Sequence, residues 1–426
     1  MDADELRGRV REFLAGHDPA APDRLAFLRA RFDAGLAWIS FPVGLGGLGA
    51  PRALQPVVDG EFAAAGAPDN QPLRIGIGLG MAAPTILRHG TDEQRRRFLR
   101  PLWTGEEVWC QLFSEPGAGS DLAALATRAV RSGEGDWVVT GQKVWTSMAH
   151  EARWAILVAR TDPNAPKHQG LTYFVCDMTA PGVEVRPLRQ ITGEAEFNEV
   201  FLTEVVLPDA LRLGAVGEGW QVARTTLMNE RVAIGGGAAP REAGMIGVVA
   251  DEWRSRPELR TPGQHDALLR LWVSAEAARL GAERLREQLG RGPAASGLRS
   301  VATREDVALG ATGPRERSER RGPSGQPGAE GSAAKYAYAK LNAEISGFEL
   351  EFLGEEGLRY DDYTMRRPSI VDWRQRSPGY RYLRAKGNSI EGGTSEILAN
   401  IIAERVLGLP AEPRTDVDVP WKDLPR

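Results

Sequence analysis

Three stretches of this chain carry residue types suited to moving protons and gripping a planar ligand. In residues 219–237, GWQVARTTLMNERVAIGGG, the residues Ala223, Leu227, Glu230 and Ile234 share one helical face, which sets an acid in an apolar stripe. No basic residue stands three or four positions from Glu230 on that helix. A carboxyl so placed is expected above its reference pKa of about 4.3, in the range useful for proton abstraction. The alternative is a solvent-facing acid, or one paired with an arginine of another helix. Residues 388–398, NSIEGGTSEIL, set Glu391 beside Gly392 and Gly393, just before a helix whose start Thr394 or Gly393 can cap. Free N–H groups there suit a phosphate or a ring carbonyl.

The third stretch has two parts. Residues 113–125, FSEPGAGSDLAAL, form a turn of Pro116, Gly117 and Gly119 flanked by the hydroxyls of Ser114 and Ser120. Residues 140–147, TGQKVWTS, read as a strand carrying Trp145 next to Thr146 and Ser147. A lone strand tryptophan is usually core; one flanked by hydroxyls can also stack on a planar ring.

These stretches need a scaffold, and the composition bounds it. The chain has 426 residues, 42% hydrophobic and 26% charged, with a net charge of −4, which gives no electrostatic reason to expect nucleic acid or an anionic membrane. That length exceeds what one core usually supports. Two cysteines, Cys110 and Cys176, are too few for a disulfide framework, which fits a cytoplasmic protein. The five histidines lack metal-ligand spacing, so no metal is expected. The N-terminus has no signal-peptide core, and no apolar run is long enough to span a membrane. A P-loop is absent, and in residues 43–51, VGLGGLGAP, Pro51 and the missing acidic partner count against a dinucleotide loop.

Helical periodicity covers residues 1–105. Short β-branched and aromatic runs separated by turn residues fill 106–210, including RWAILVARTD, LTYFVCDM, GVEVRPL and NEVFLTEVVLP. Helical segments return over 219–255, 264–290, 332–353 and 394–407, within a C-terminal region of 211–412 and before a tail of 413–426. Residues 291–331 are rich in Gly, Pro, Ser and charge and read as a mobile loop, or as a basic docking segment around Arg315 and Arg321.

Taken together, QLFSEPGAGSD, GQKVWTS, NERVAIGGG and GGTSEILANIIAERVLGLP resemble the acyl-CoA dehydrogenase family in order and approximate spacing. The resemblance covers nearly the whole chain. It implies an α+β, mostly α fold: an N-terminal helical domain, a central antiparallel β-barrel and a C-terminal four-helix bundle. It implies FAD as cofactor, an acyl-CoA or acyl-carrier thioester as substrate, and electron-transfer flavoprotein as acceptor. The assembly it implies is a homo-tetramer or homo-dimer, with a heteromer also open. Carried over by residue, Phe113, Ser114, Gly119 and Ser120 match the flavin-contacting loop, with Ser120 also against substrate. Trp145, Thr146 and Ser147 match the ring contact, and Thr394, Ser395 and Glu396 the helix start that meets FAD.

The reaction implied is removal of an α-proton from the thioester and of the β-hydrogen as hydride, giving a trans-2-enoyl thioester. Many members place the catalytic glutamate immediately before Gly-Thr. Here that position is Gly392, so the carbonyl-polarising N–H falls to Gly392 or its neighbour. In the branch with glycine there, the base precedes an arginine on the first long bundle helix. Glu230-Arg231 fits, which makes Glu230 the expected base, Arg231 a substrate neighbour, and Glu391 a second carboxylate tuning the site. Two features depart from the family. Its Arg-x-x-Phe-Gly stretch is not recognisable in residues 254–269, and EFLGEEGLR carries Glu355 where a second glycine is common. A same-fold flavin oxidase or monooxygenase and a non-catalytic partner subunit are the alternatives.

Overall fold

The computed structural model describes residues 1–133, 135–235, 240–290, 329–360, 362–370, 372–414 and 416–425. These fall into two compact units, Met1–Glu230 with Tyr360–Arg384 and Glu412–Arg426, and Arg231–Arg359 with Ala385–Ala411. The expected loop at 291–331 lies outside the described residues except for its last three, and the basic segment around Arg315 lies wholly outside them.

The first unit opens with helices. α1 (Ala3–Gly16) starts at a capping box of Asp2 and Glu5 and buries Leu6, Val10 and Phe13 at helical spacing. α2 (Arg24–Asp33), α3 (Gln55–Ala64) and α4 (Ala83–His89) come next. α5 (Asp92–Thr104) has a second capping box, Thr91 with Gln94, and ends at Gly105 in the left-handed conformation that glycine tolerates.

The strands are β1 (Trp109–Leu112), β2 (Arg128–Arg131), β3 (Trp137–Ser147), β4 (Trp154–Arg160), β5 (Leu171–Asp177), β6 (Val183–Pro187), β7 (Phe197–Leu207) and β8 (Arg212–Leu213). The five runs read from sequence are β3 to β7; β1, β2 and β8 are too short to show a pattern. The order β6-β7-β3-β2-β4-β5-β8, with β1 beside β4, is an open path of mixed pairing. The closed antiparallel barrel expected from the resemblance is thereby corrected. β1 and β2 both run parallel to β4, because the chain reverses once at the β2–β3 hairpin and again between β3 and β4.

β4 is buried along its whole length, and strand alternation explains how. Trp154, Ile156 and Val158 pack with Phe98, Leu99 and Leu102 of α5, while Ala155, Leu157 and Ala159 face Val139, Val200 and Leu202. One strand therefore separates a helix-sheet core from a sheet interior.

The segment expected as one helix over 219–255 is two, α6 (Gly219–Gly235) and α7 (Met245–Ser255). Pro240, which cannot donate in a helix, and Gly244, with φ of 85°, lie between them. α6 begins in the first unit and ends in the second. The second unit continues with α8 (Pro262–Gly290) and α9 (Glu330–Leu353). α10 (Pro378–Gly387) leads into the loop before α11 (Ser395–Ile401). The helix expected over 394–407 closes its last turns as a π-helix, Ile402–Val406. α9 packs against α7, α8 and α11. Its hydrophobic residues Ile345, Phe348 and Phe352 are buried, but so is a polar stripe of Lys335, Asn342, Ser346 and Glu349.

Candidate active site

The candidate residues form one group in each unit. In the first, the loop after β1 is pinned at its base. The amide of Glu115 and the carbonyl of Ala118 bond at 3.0 Å, and the reverse pair also bonds at 3.0 Å, which closes a tight turn around Pro116 and Gly117. The Glu115 carboxylate accepts from the amides of Ala126 at 2.7 Å and Thr127 at 2.9 Å. Lys143 Nζ, fully buried in β3, donates to Glu115 at 2.8 Å and to the carbonyls of Phe113 at 2.9 Å and Val158 at 3.0 Å. Burial alone would raise the Glu115 pKa; the Lys143 charge and the amide donors outweigh it and hold the carboxyl below its ordinary value. Burial pulls the Lys143 ammonium down. Phe113 is buried edge-on to Tyr173, and the Ser114 carbonyl accepts from the Val144 amide at 2.9 Å. Gly119 and Ser120 are left exposed.

Strict alternation in β3 from the inward Lys143 would turn Trp145 inward too. Instead the register with β7 shifts between Lys143 and Thr146, and Trp145 takes a φ of 60°. Such a bulge reverses the facing of the residues beyond it. Trp145 is 57% exposed, edge-on to Phe197 at 5.8 Å, so it is not a core tryptophan. Thr146 turns inward; its Oγ1 is buried with no hydrogen-bond partner among the described residues. The Thr146 carbonyl accepts from Asn198 Nδ2 at 3.0 Å, and the Asn198 Oδ1 accepts from Arg367 at 2.5 Å. Ser147 pairs with Phe197 in the sheet and is half-buried. No pattern in the sequence marked Glu115, Lys143, Asn198 or Arg367. The one available signal was a lysine on the inward phase of a strand.

On α6, Ala223 and Thr226 are fully buried, Leu227 packs on the core, and Glu230 is half-buried. Beneath it Thr226 Oγ1 lies 2.9 Å from Thr85 Oγ1 and 2.8 Å from the hydroxyl of the buried Tyr173. The Tyr173 hydroxyl is held well above its ordinary pKa, chiefly by burial and in smaller part by the Glu230 charge. The half-buried acid therefore has a set of buried hydroxyls one turn below it on the helix.

In the second unit Arg231 is half-buried on the last turn of α6. Glu391 lies in the loop before α11, where its carboxylate accepts from Asn388 Nδ2 at 2.7 Å. Gly392 and Gly393 have φ of 63° and 93°, conformations that favour glycine. Thr394 caps α11 by accepting the Ile397 amide at 3.2 Å, the Ser395 amide donates to the Ser389 carbonyl at 3.0 Å, and Glu396 is exposed in the first turn. Lys335, which no sequence pattern marked either, donates to the carbonyls of Asn388 at 2.7 Å and Gly393 at 2.8 Å.

Residues 2–106, 110–205 and 315–407 match the N-terminal, middle and C-terminal domains of acyl-CoA dehydrogenase. Among curated proteins, acyl-CoA dehydrogenase IpdE1 of Mycobacterium tuberculosis is 34% identical over 431 residues, spanning 97% of this chain and 99% of its own. Acyl-CoA dehydrogenase FadE34 of the same organism is 42% identical over 367 residues, covering 85% of this chain but 43% of that longer protein. Among solved structures, the ChsE4-ChsE5 complex from Mycobacterium tuberculosis superposes with a TM-score of 0.66 at 27% identity, over 96% of this chain and 98% of that one. The chain belongs to the acyl-CoA dehydrogenase family, a family of FAD-dependent oxidoreductases acting on acyl-CoA thioesters. No described helix is long and apolar enough to cross a membrane.

Proposed function

We propose that this chain dehydrogenates an acyl-CoA between its α and β carbons, with Glu230 as the base. The observation that carries the reading is the exposed Trp145, turned out of the β3 alternation, with the half-buried Ser147 two residues on. An exposed aromatic face with a hydroxyl nearby fits a planar ring with a hydrogen-bonding edge, as the isoalloxazine of FAD has. Phe113, Ser114, Gly119, Ser120, Trp145, Thr146 and Ser147 would hold the flavin, and Thr394, Ser395 and Glu396 are the further flavin contacts that family membership implies. Bound FAD supplies the acceptor for the β-hydrogen as hydride.

Glu230 takes the α-proton. An α-hydrogen is too weak an acid for a carboxylate unless the thioester carbonyl is polarised, and the Gly392 N–H serves that purpose here. A half-buried carboxylate is poised better than a solvated one, because burial favours its protonated product. The Asn388 bond to Glu391 supports a different role for that acid, as an anchor of its own loop. Ser120 and Arg231 border the substrate.

Electron-transfer flavoprotein is the inferred acceptor and the cytoplasm the inferred location. The missing Arg-x-x-Phe-Gly stretch and the likeness to a two-protein complex favour a second chain completing the FAD adenine site. Purification alone tests that part: a homo-oligomer that keeps FAD through gel filtration overturns it.

For the chemistry, the purified protein is mixed anaerobically with straight, branched, aromatic and sterol-side-chain acyl-CoAs and flavin bleaching is followed. Glu230→Gln should keep FAD and lose bleaching by at least about 10³-fold, whereas Glu391→Gln should leave measurable turnover. The reverse pattern assigns the base to Glu391.

A further inference from the structure

α9 carries polar residues where a buried helix usually carries aliphatic ones. The polar residues Ser332, Lys335, Asn342, Ser346 and Glu349 share one face with the small Ala339, at alternating three- and four-residue steps, and all six are buried. By sequence alone such a stripe is a solvated face. Two of its members are instead fastened to the loop before α11. Lys335 Nζ, with no exposed surface, donates to the Asn388 carbonyl at 2.7 Å and to the Gly393 carbonyl at 2.8 Å. Asn342 Nδ2 donates to Asn388 Oδ1 at 3.1 Å, and Asn388 Nδ2 donates onward to Glu391 at 2.7 Å. One ammonium thus holds both ends of the loop, and an amide relay holds the acid in its middle.

The loop has reason to need this. Gly392 and Gly393 lack the side chains that would restrict them, and both sit in the left-handed region. Nothing intrinsic to two glycines selects one direction for the Gly392 N–H. Across a trans peptide the C=O and N–H point opposite ways, so the two Lys335 bonds fix the planes of the Asn388–Ser389 and Gly393–Thr394 peptides. The Glu391–Gly392 peptide, which carries the Gly392 N–H, lies between these two anchors, and the Asn388 amide holds the Glu391 side chain next to it. A buried cation one residue from Gly392 also raises the potential where a thioester oxygen would gather negative charge, in surroundings that screen it little.

We propose that Lys335, with Asn342 relaying through Asn388, is the positioning residue that aims the Gly392 N–H for α-proton abstraction. The inference rests on the dehydrogenase reading above. Lys335 touches neither substrate nor cofactor in this role; it acts through the backbone it holds.

The test compares Lys335→Met with wild type, using whichever acyl-CoA of the panel bleaches the wild-type flavin fastest. Expected is a fall of about 30- to 100-fold in the limiting bleaching rate, with FAD content retained and the half-saturating concentration changed less than about threefold. The α-deuterium isotope effect on bleaching should rise and the β-deuterium effect shrink, because only the proton-transfer half of the reaction has been weakened. A merely structural loss would leave the ratio of the two isotope effects where it was. Bleaching within about threefold of wild type, or isotope effects in the wild-type ratio, overturns the proposal.

Should Lys335→Met fail to fold, Asn342→Leu decides. It removes the amide relay without leaving a buried charge, and a slower limiting rate with a raised α-deuterium effect is expected; wild-type behaviour overturns the proposal. A wild-type flavin that no acyl-CoA bleaches overturns the dehydrogenase reading, and this inference falls with it.

Discussion

Lys143 and Lys335 are both fully buried, and each grips backbone carbonyls flanking a glycine-containing loop, yet the two loops are held in different ways. Lys143 works at the base of its loop, joined to the Glu115 carboxylate, to Phe113 and to Val158 of β4. The tip beyond it is relaxed: a Cβ added at Gly117 or Gly119 meets nothing within 4 Å, and neither has a positive φ. Lys335 spans its loop from end to end, across 53 and 58 residues of sequence, and the tip between is in the left-handed region. A loop whose base belongs to a sheet inherits its geometry from strand register. One between two helices has no such template and must be fixed by side chains.

The largest effect is expected at Lys143. Lys143→Met leaves the Glu115 carboxylate buried without its cation, and such a loss typically costs about 3–5 kcal/mol. Urea unfolding monitored by tryptophan fluorescence should show the midpoint drop accordingly; a change under about 1 kcal/mol would mean the pair stabilises little. Next in size is the contrast between the glycines. Gly393→Ala must place a side chain at φ of 93° with Leu398 Cδ2 3.4 Å from the new methyl, and about 1–3 kcal/mol is expected. Gly119→Ala should lie within about 0.5 kcal/mol of wild type. Equal losses at the two positions would show that the loops are equally constrained.

The smallest effect is in pH. The folded Glu115 pKa is below its unfolded value, so the stability it contributes is present above about pH 4.3 and is lost as pH falls towards the folded pKa. Melting temperatures from pH 5 to 3 should therefore fall less steeply in Glu115→Gln than in wild type. Parallel slopes in the two proteins would show that Glu115 contributes no pH-dependent stability.

Legibility followed the same divide. The helices of the first unit were legible through their periodicity, and the capping boxes that start two of them, Asp2 with Glu5 and Thr91 with Gln94, are local too, each complete within four residues. β4 and β5 were legible as apolar runs bounded by turn residues. β1, β2 and β8 were not, since a strand of two to four residues has no period to detect. Trp145 was noticed for its neighbours, but its exposure depends on a register shift against β7 that no local pattern records. Glu230 was visible as an acid on an apolar face, and the structure sets it half-buried above Thr226.

What the chain determined on its own was the material of the site: an acid on a helical stripe, hydroxyls beside a tryptophan, and two glycines ahead of a cap. These are local facts, fixed by side-chain periodicity and by what glycine, threonine and proline permit the backbone to do. Which polar groups are buried, and on what they close, was settled only in three dimensions. Lys335 and Asn342 look like any solvated helix face until the loop carrying Gly392 is laid against them. Hydrogen bonds between residues more than fifty apart leave no period in sequence, because the spacing that matters to them is measured across the fold and not along the chain.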